Sequence, residues 1–188
     1  MKRLAIFASG GGSNARALFE YFKDDNRIQL PLVIANKEGA GVFGVAASFG
    51  ATAVWVKKSQ LNNPDFLLPL LQQHRIDGIL LAGFLLLIPP YLVAAYPQAI
   101  LNIHPALLPK FGGAGMHGHH VHEAVLAAGE TVSGPTVHLV NEQYDEGRIL
   151  AQQTVPVLPD DTAETLARRV LEAEHQLYPK TVAAYFIR

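Results

Sequence analysis

An α/β fold built on an open, mostly parallel, Rossmann-like sheet with helices on both faces is what this 188-residue sequence predicts. Three observations carry that expectation. Short apolar runs recur along the first part of the chain, and segments with apolar residues at helical spacing separate them. Later the pattern changes to two runs joined by a polar loop, which predicts an antiparallel strand near the C-terminal part.

Arg3–Ala8 reads as the first strand. Met1-Lys2-Arg3 followed by Leu4 to Ala8 resembles the start of a signal peptide, but this apolar run falls short of the roughly 7–15 residues such a region needs. Asn14–Phe22 follows with Leu18, Phe19 and Phe22 on one helical stripe; Leu30–Ala35 is a strand, Val42–Phe49 a helix, Ala53–Val56 a strand and Phe66–His74 a helix. Ile79–Ala82 and Ile100–Ile103 complete the strands of this part. Their continuous hydrophobicity predicts burial on both faces, the mark of a parallel sheet. The stretch from Gly78 to Pro109 holds no Asp, Glu, Lys or Arg, yet Pro89-Pro90 interrupts it long before the ~20 apolar residues of a spanning helix. It reads as a buried strand and a turn. Thr136–Val140 and Ile149–Val155 are strands flanking the polar segment Asn141 to Gly147. Asp160-Asp161-Thr162 then opens a long terminal helix with Leu166, Val170 and Leu177 on its buried stripe. No repeat or linker divides the chain, so one domain spanning 1–188 is expected.

Composition narrows the function. With 49% hydrophobic and 16% charged residues the chain has material for a core, and a formal charge of −1 supplies no general basic field for nucleic acid. The absence of cysteine excludes disulfides, thiolate catalysis and cysteine-ligated metals. It is compatible with a reducing cytoplasm.

Ligands of open α/β sheets bind beyond the carboxyl ends of the strands, which directs attention to three segments. The first strand ends in Ser9-Gly10-Gly11-Gly12-Ser13-Asn14, where glycines and a helix N-terminus favour a phosphate; the alternative is a tight turn with Ser13 or Asn14 as N-cap. It lacks both a Walker lysine and a full dinucleotide fingerprint. In Leu101-Asn102-Ile103-His104-Pro105, strand alternation puts Asn102 and His104 on one side at the strand's carboxyl end. A carboxamide donor beside an imidazole suits a developing oxyanion that also needs proton transfer, although a structural histidine beside a capping asparagine has the same spacing. Asp145, two residues before Gly147, is either a solvated loop charge or a carboxylate that reaches the histidine and favours its imidazolium form.

Five histidines, His117, His119, His120, His122 and His138, raise a metal reading, but no cysteine or acidic triad completes a motif and no metal is expected. Glu174 on the last helix is either a solvent-exposed ion or a cleft carboxylate able to hold an ammonium or hydroxyl groups.

Taken together these residues resemble the phosphoribosylglycinamide formyltransferase family of the folate-dependent formyltransferase superfamily. The resemblance rests on Ile6 to Asn14, Ile34-Ala35-Asn36-Lys37, Leu81-Ala82-Gly83-Phe84, Leu101 to Lys110, Val121-His122-Glu123-Ala124, Gly134 to His138, Tyr144-Asp145-Glu146-Gly147 and Glu174 to Pro179. It covers nearly the whole chain. The resemblance implies transfer of the formyl group of 10-formyltetrahydrofolate, a co-substrate, to the amine of phosphoribosylglycinamide in purine biosynthesis, without a metal. By position, Asn102 and protonated His104 stabilise the oxyanion, and Asp145 keeps His104 charged and orders a water. Gly11, Gly12, Ser13 and Asn14 hold the phosphate in the N-terminal half, with Glu174 near the ribose or glycinamide. The pterin lies in the C-terminal half against Leu85, Leu86, Leu87, Ile88, Asn102, Asn141 and Asp145. Partners are small molecules, with no nucleic acid or membrane, in a monomer or homodimer. Leu86 stands where some relatives have Arg, Ala114 where related loops carry a basic residue, and Gln60 to Asn63 holds no arginine for the folate tail. Methionyl-tRNA formyltransferase and formyltetrahydrofolate deformylase are disfavoured by length. A non-catalytic nucleotide-binding module explains the glycine turn and leaves the spacing of Asn102, His104 and Asp145 unexplained.

Overall fold

The computed structural model describes residues 1–187. In chain order these form β1 (Lys2–Ala8), α1 (Ser13–Phe22), β2 (Ile28–Ala35), α2 (Val42–Ser48), β3 (Thr52–Trp55), α3 (Lys58–Leu61), α4 (Pro64–Gln73), β4 (Gly78–Leu81), α5 (Pro90–Ala95) and β5 (Ile100–His104). Then follow α6 (His119–Ala127), β6 (Val132–Ser133), β7 (Thr136–Leu139), β8 (Ile149–Gln152), β9 (Val155–Pro156) and α7 (Ala163–Phe186).

Seven strands make one sheet in the order β3-β2-β1-β4-β5-β7-β8. β1 to β5 are parallel, while β7 runs antiparallel to both β5 and β8. The strand order reverses between β1 and β4, so their carboxyl ends diverge and leave a crevice. Alternation along β1 shows why both faces need helices. Leu4, Ile6 and Ala8 pack with Leu18 and Phe22 of α1, Val45 of α2, and Tyr178 and Val182 of α7. Ala5 and Phe7 pack on the other face with Leu67 and Leu71 of α4 and Leu92 of α5. Each large apolar side chain buried in these layers contributes roughly 1.5–3 kcal/mol.

The expected fold class holds, with local corrections. β3 is the sheet edge and is not buried on both faces: Thr52, Ala53 and Trp55 are exposed. Pro89-Pro90 starts the helix α5, because a proline in the first turn gives up only an amide that has no helical partner. The run read as one strand from Ile149 to Val155 is two. Gln153 N–H turns to the Pro135 carbonyl at 3.1 Å, and Val155 pairs with Ser133 in a separate two-stranded sheet. On α7 the buried stripe is Leu166, Val170, Ala173 and Tyr178, with Leu177 only half-buried. The Tyr178 hydroxyl reaches the carbonyls of Leu81 and Leu101, each at 3.0 Å, tying α7 across β4 and β5. None of the described helices is long and apolar enough to cross a membrane.

Candidate active site

β5 delivers its functional side chains by register. Asn102 lies opposite His138 and His104 opposite Thr136 across the β5–β7 pairing, so an antiparallel neighbour adds a histidine beside the predicted pair. The sequence reads His138 with the histidine cluster, alternating with Thr136 in a strand able to face the cleft, and gives it no catalytic role. Its Nδ1 lies 2.9 Å from the Leu139 carbonyl, an acceptor only, so Nδ1 carries the proton and Nε2 is left to accept. The Asn102 amide donates to that Nε2 at 3.0 Å, which fixes the carboxamide with its NH₂ toward His138. The same nitrogen is 3.4 Å from Asp145 Oδ1, at the edge of hydrogen-bonding range. His138 Nε2 and Asp145 Oδ1 are 3.6 Å apart, so the Asn102 contact is the shorter of the two at that nitrogen.

Asp145 comes to this cluster through Gly147. A Cβ at Gly147 would stand 1.6 Å from the Leu139 carbonyl oxygen, so only glycine lets the loop close onto β7. Asp145 itself adopts φ 57, a left-handed conformation that Asp tolerates better than most residues. Its Oδ2 accepts the Gly113 N–H at 3.0 Å and lies 3.5 Å from His104 Nδ1. It is therefore a tethered, half-buried carboxylate rather than a solvated charge. Burial pushes this carboxyl up, but the positive charge that the flanking His138 and His104 imidazoles carry when protonated, together with the Gly113 N–H, outweighs it and holds Asp145 below its ordinary value.

His104 lies between opposing influences. Its Nε2 faces the Phe111 carbonyl at 2.8 Å and its Nδ1 faces Asp145, so both nitrogens look toward acceptors and the surroundings favour a cation. Burial is the stronger influence, however, and takes the imidazole below its ordinary value despite Asp145 and Phe111. Desolvation therefore works against the imidazolium, while Asp145 and the Phe111 carbonyl work for it. The expected pull of Asp145 toward a charged His104 is thus opposed by the desolvation of a residue only 4% exposed.

The cluster lines a cavity of about 680 Å³. Phe84, Leu85, Leu86, Leu87 and Ile88 form an apolar wall, Gly113 to His119 a second, and one face of α7 a third. Gln143 and Tyr144 line it from the Asp145 loop, whereas Asn141 does not; its side chain accepts the Gln143 N–H at 3.0 Å and shapes the loop turn. Ser9 braces the apolar wall by accepting the Leu85 N–H at 2.9 Å.

At the far end, α1 begins without the side-chain cap considered for Ser13 or Asn14. Gly12 is the N-cap at φ 81, and a Cβ there would meet Val42 at 2.8 Å. Gly11, Gly12 and Ser13 lie outside the cavity wall, and of this turn only Asn14 lines it. Asn14 turns inward and donates to Glu174 Oε2 at 2.6 Å, leaving its own Oδ1 buried without a partner. Glu174 is buried, not solvent-exposed, and desolvation pushes its carboxyl up to about 7 against the Asn14 bond. The histidine cluster is dispersed: His117, His119 and His122 line the cavity while His120 is exposed beside Glu123. Among the described residues no three His, Cys, Asp or Glu side chains converge for a metal.

The formyl transferase family profile matches residues 2–182. A chloroplastic phosphoribosylglycinamide formyltransferase of Arabidopsis thaliana is 48% identical, over 97% of this chain and 65% of its own length. The Haemophilus influenzae phosphoribosylglycinamide formyltransferase is 34% identical over 97% of this chain and 86% of its own length. Among solved structures, phosphoribosylglycinamide formyltransferase from Brucella melitensis superposes with a TM-score of 0.89 at 41% identity, covering 100% of this chain and 96% of that one. The chain spans 60–65% of the length of the three plant relatives it matches. The sheet with its antiparallel strand β7, the Asn102–His104–Asp145 cluster and these matches lead to one assignment: the chain belongs to the formyl transferase family, in the branch of the phosphoribosylglycinamide formyltransferases.

Proposed function

We propose that this protein transfers the formyl group of 10-formyltetrahydrofolate to the amine of phosphoribosylglycinamide, giving formylglycinamide ribonucleotide and tetrahydrofolate in de novo purine synthesis. One observation carries the reading. Asn102, His104 and Asp145 converge at the end of β5 inside a cavity with an apolar wall on one side and a buried carboxylate on another. In this reading the single domain works in two halves. Gly11, Gly12, Ser13 and Asn14 receive the phosphate at the uncapped start of α1, where unsatisfied N–H groups favour an anion, and Glu174 meets the ribose or glycinamide. Leu85, Leu86, Leu87 and Ile88 take the pterin together with Asn102, the Asp145 loop and, less directly, Asn141.

The chemistry takes His104 as neutral when the amine attacks, the form its burial favours. The amine attacks the formyl carbon, and the carbonyl oxygen becomes an oxyanion. The Asn102 hydrogen that points only weakly at Asp145 is the one free to stabilise it. His104 Nδ1 accepts the proton lost by the new ammonium, and the imidazolium so formed is held between Asp145 and the Phe111 carbonyl. That proton then passes to the folate nitrogen, directly or through a water ordered by Asp145, as the carbon–nitrogen bond breaks. No step invokes a metal. The absence of cysteine suits a reducing compartment such as the cytoplasm, while the plant relatives are chloroplastic.

The test is release of tetrahydrofolate by purified protein, measured with and without phosphoribosylglycinamide. Release that depends on the ribonucleotide, and persists after thorough chelation, is expected. Release without it indicates hydrolysis, and no release with NAD binding indicates a nucleotide module; either result rejects the proposal.

A further inference from the structure

Charge is distributed unevenly around the cavity. Its wall carries the carboxylates of Asp145, Glu164 and Glu174, and among the described residues that line it Arg168 is the one Lys or Arg. The facing segment Gly113 to His119 contains no charged residue other than histidine. Arg168 sits on α7 in the series Glu164, Ala167, Arg168, Leu171 and Glu174, which is the helical spacing of one face, and all five line the cavity. It stands six residues before Glu174, roughly 9 Å along the helix axis.

Its neighbour Arg169 is committed elsewhere, gripping Asp161 through two nitrogens at 2.6 and 2.9 Å. Arg168 is exposed and makes no hydrogen bond or ion pair with any described residue. Glu164, one turn earlier and also exposed, is suitably placed for a helical ion pair and forms none. The arginine fork is thus left to the cavity, whose remaining formal charges repel anions.

We propose that Arg168 is a specificity residue that binds an anionic oxygen group of a substrate in this cavity, a phosphomonoester or a carboxylate. The inference rests on the proposed function for the identity of the substrates, which offer both kinds of group: the ribonucleotide phosphate and the two glutamyl carboxylates of the folate. A guanidinium gives either one two parallel charge-assisted bonds, whereas a lysine in its place gives a point charge. Arg168 touches no reacting atom in this reading, so its removal acts on binding rather than on the chemical step.

Binding of ribose 5-phosphate, tetrahydrofolate and tetrahydropterin, which carries no carboxylate, to wild type and to Arg168→Ala separates the two sources. Arg168→Ala is expected to bind one charged probe about tenfold more weakly and to leave the other within about twofold. Loss confined to ribose 5-phosphate identifies the phosphate. Loss for tetrahydrofolate but not tetrahydropterin identifies the carboxylate. Arg168→Lys should recover part of the affinity, and in turnover KM for the matching substrate should rise with kcat unchanged. Unchanged affinity for both probes, equal loss for both with a lower Tm, or no binding by wild type overturns the inference. Wild type that binds the probes but transfers no formyl group rejects the proposed function, and the binding ratios still judge Arg168.

Discussion

At the β5 end of the cleft the Asp145 carboxylate accepts the Gly113 N–H at 3.0 Å and lies against two imidazoles, whereas at the α7 end Glu174 receives one bond, from Asn14 at 2.6 Å. The first environment compensates a negative charge and the second does not. Asp145 is accordingly held below its ordinary value, and Glu174 is pushed up to about 7. Two carboxylates in one cavity are thereby given different work. Asp145 is a fixed anion able to hold an imidazolium, while Glu174 near neutrality is divided between a hydrogen-bond donor and an acceptor.

The sharpest way to break this contrast is Asp145→Asn. Loss of the anion should lower kcat about 10³-fold and, by removing one of the influences that raise the His104 pKa, move the acid limb of the pH–rate profile to lower pH. A limb that stays in place contradicts the coupling. Glu174→Gln tests the other end through stability. A carboxyl whose folded pKa is raised from 4.5 to about 7 gives up stability as pH climbs through that window, because the folded state must then bury the charge. The glutamine keeps an acceptor for Asn14, so denaturant unfolding should find it more stable than wild type by about 3 kcal/mol at pH 8 and nearly equal at pH 4. His138→Ala removes the acceptor that orients Asn102. It should cost about 10- to 100-fold in kcat with KM little changed, since a small misplacement of a catalytic group is enough for that. A KM effect alone would indicate a wall residue instead. His122 provides the smallest test: burial takes its imidazole down to about 4, so His122→Gln should lessen the stability wild type loses as pH falls from 6.5 toward 4.

Sequence pattern was a good guide where the cause of structure is local. The parallel strands, the α7 start at Thr162 and the shared side of Asn102 and His104 all follow from period and capping, and the structure has them. What required the three-dimensional fold was pairing. Nothing local says that His138 stands opposite Asn102, because β-sheet register depends on which strands become neighbours. Gly147 could be seen, but its reason, the Leu139 carbonyl against its Cα, could not. Glu174 likewise hides its burial: its partner Asn14 is 160 residues away in sequence, and an acidic residue on a helix is more often exposed. The burial that opposes a charge on His104 is hidden for the same reason, since an attractive carboxylate can be anticipated from a motif more easily than desolvation.

The contrast between the two carboxylates is tested most directly by a pH titration of ¹³C-labelled Asp and Glu side chains by NMR, with Asp145→Asn and Glu174→Gln used to assign the two signals. The predicted result is one carboxyl, Asp145, that remains ionised below the ordinary aspartate range, and another, Glu174, with its midpoint at about 7. Two midpoints within the ordinary carboxylate range would contradict the account.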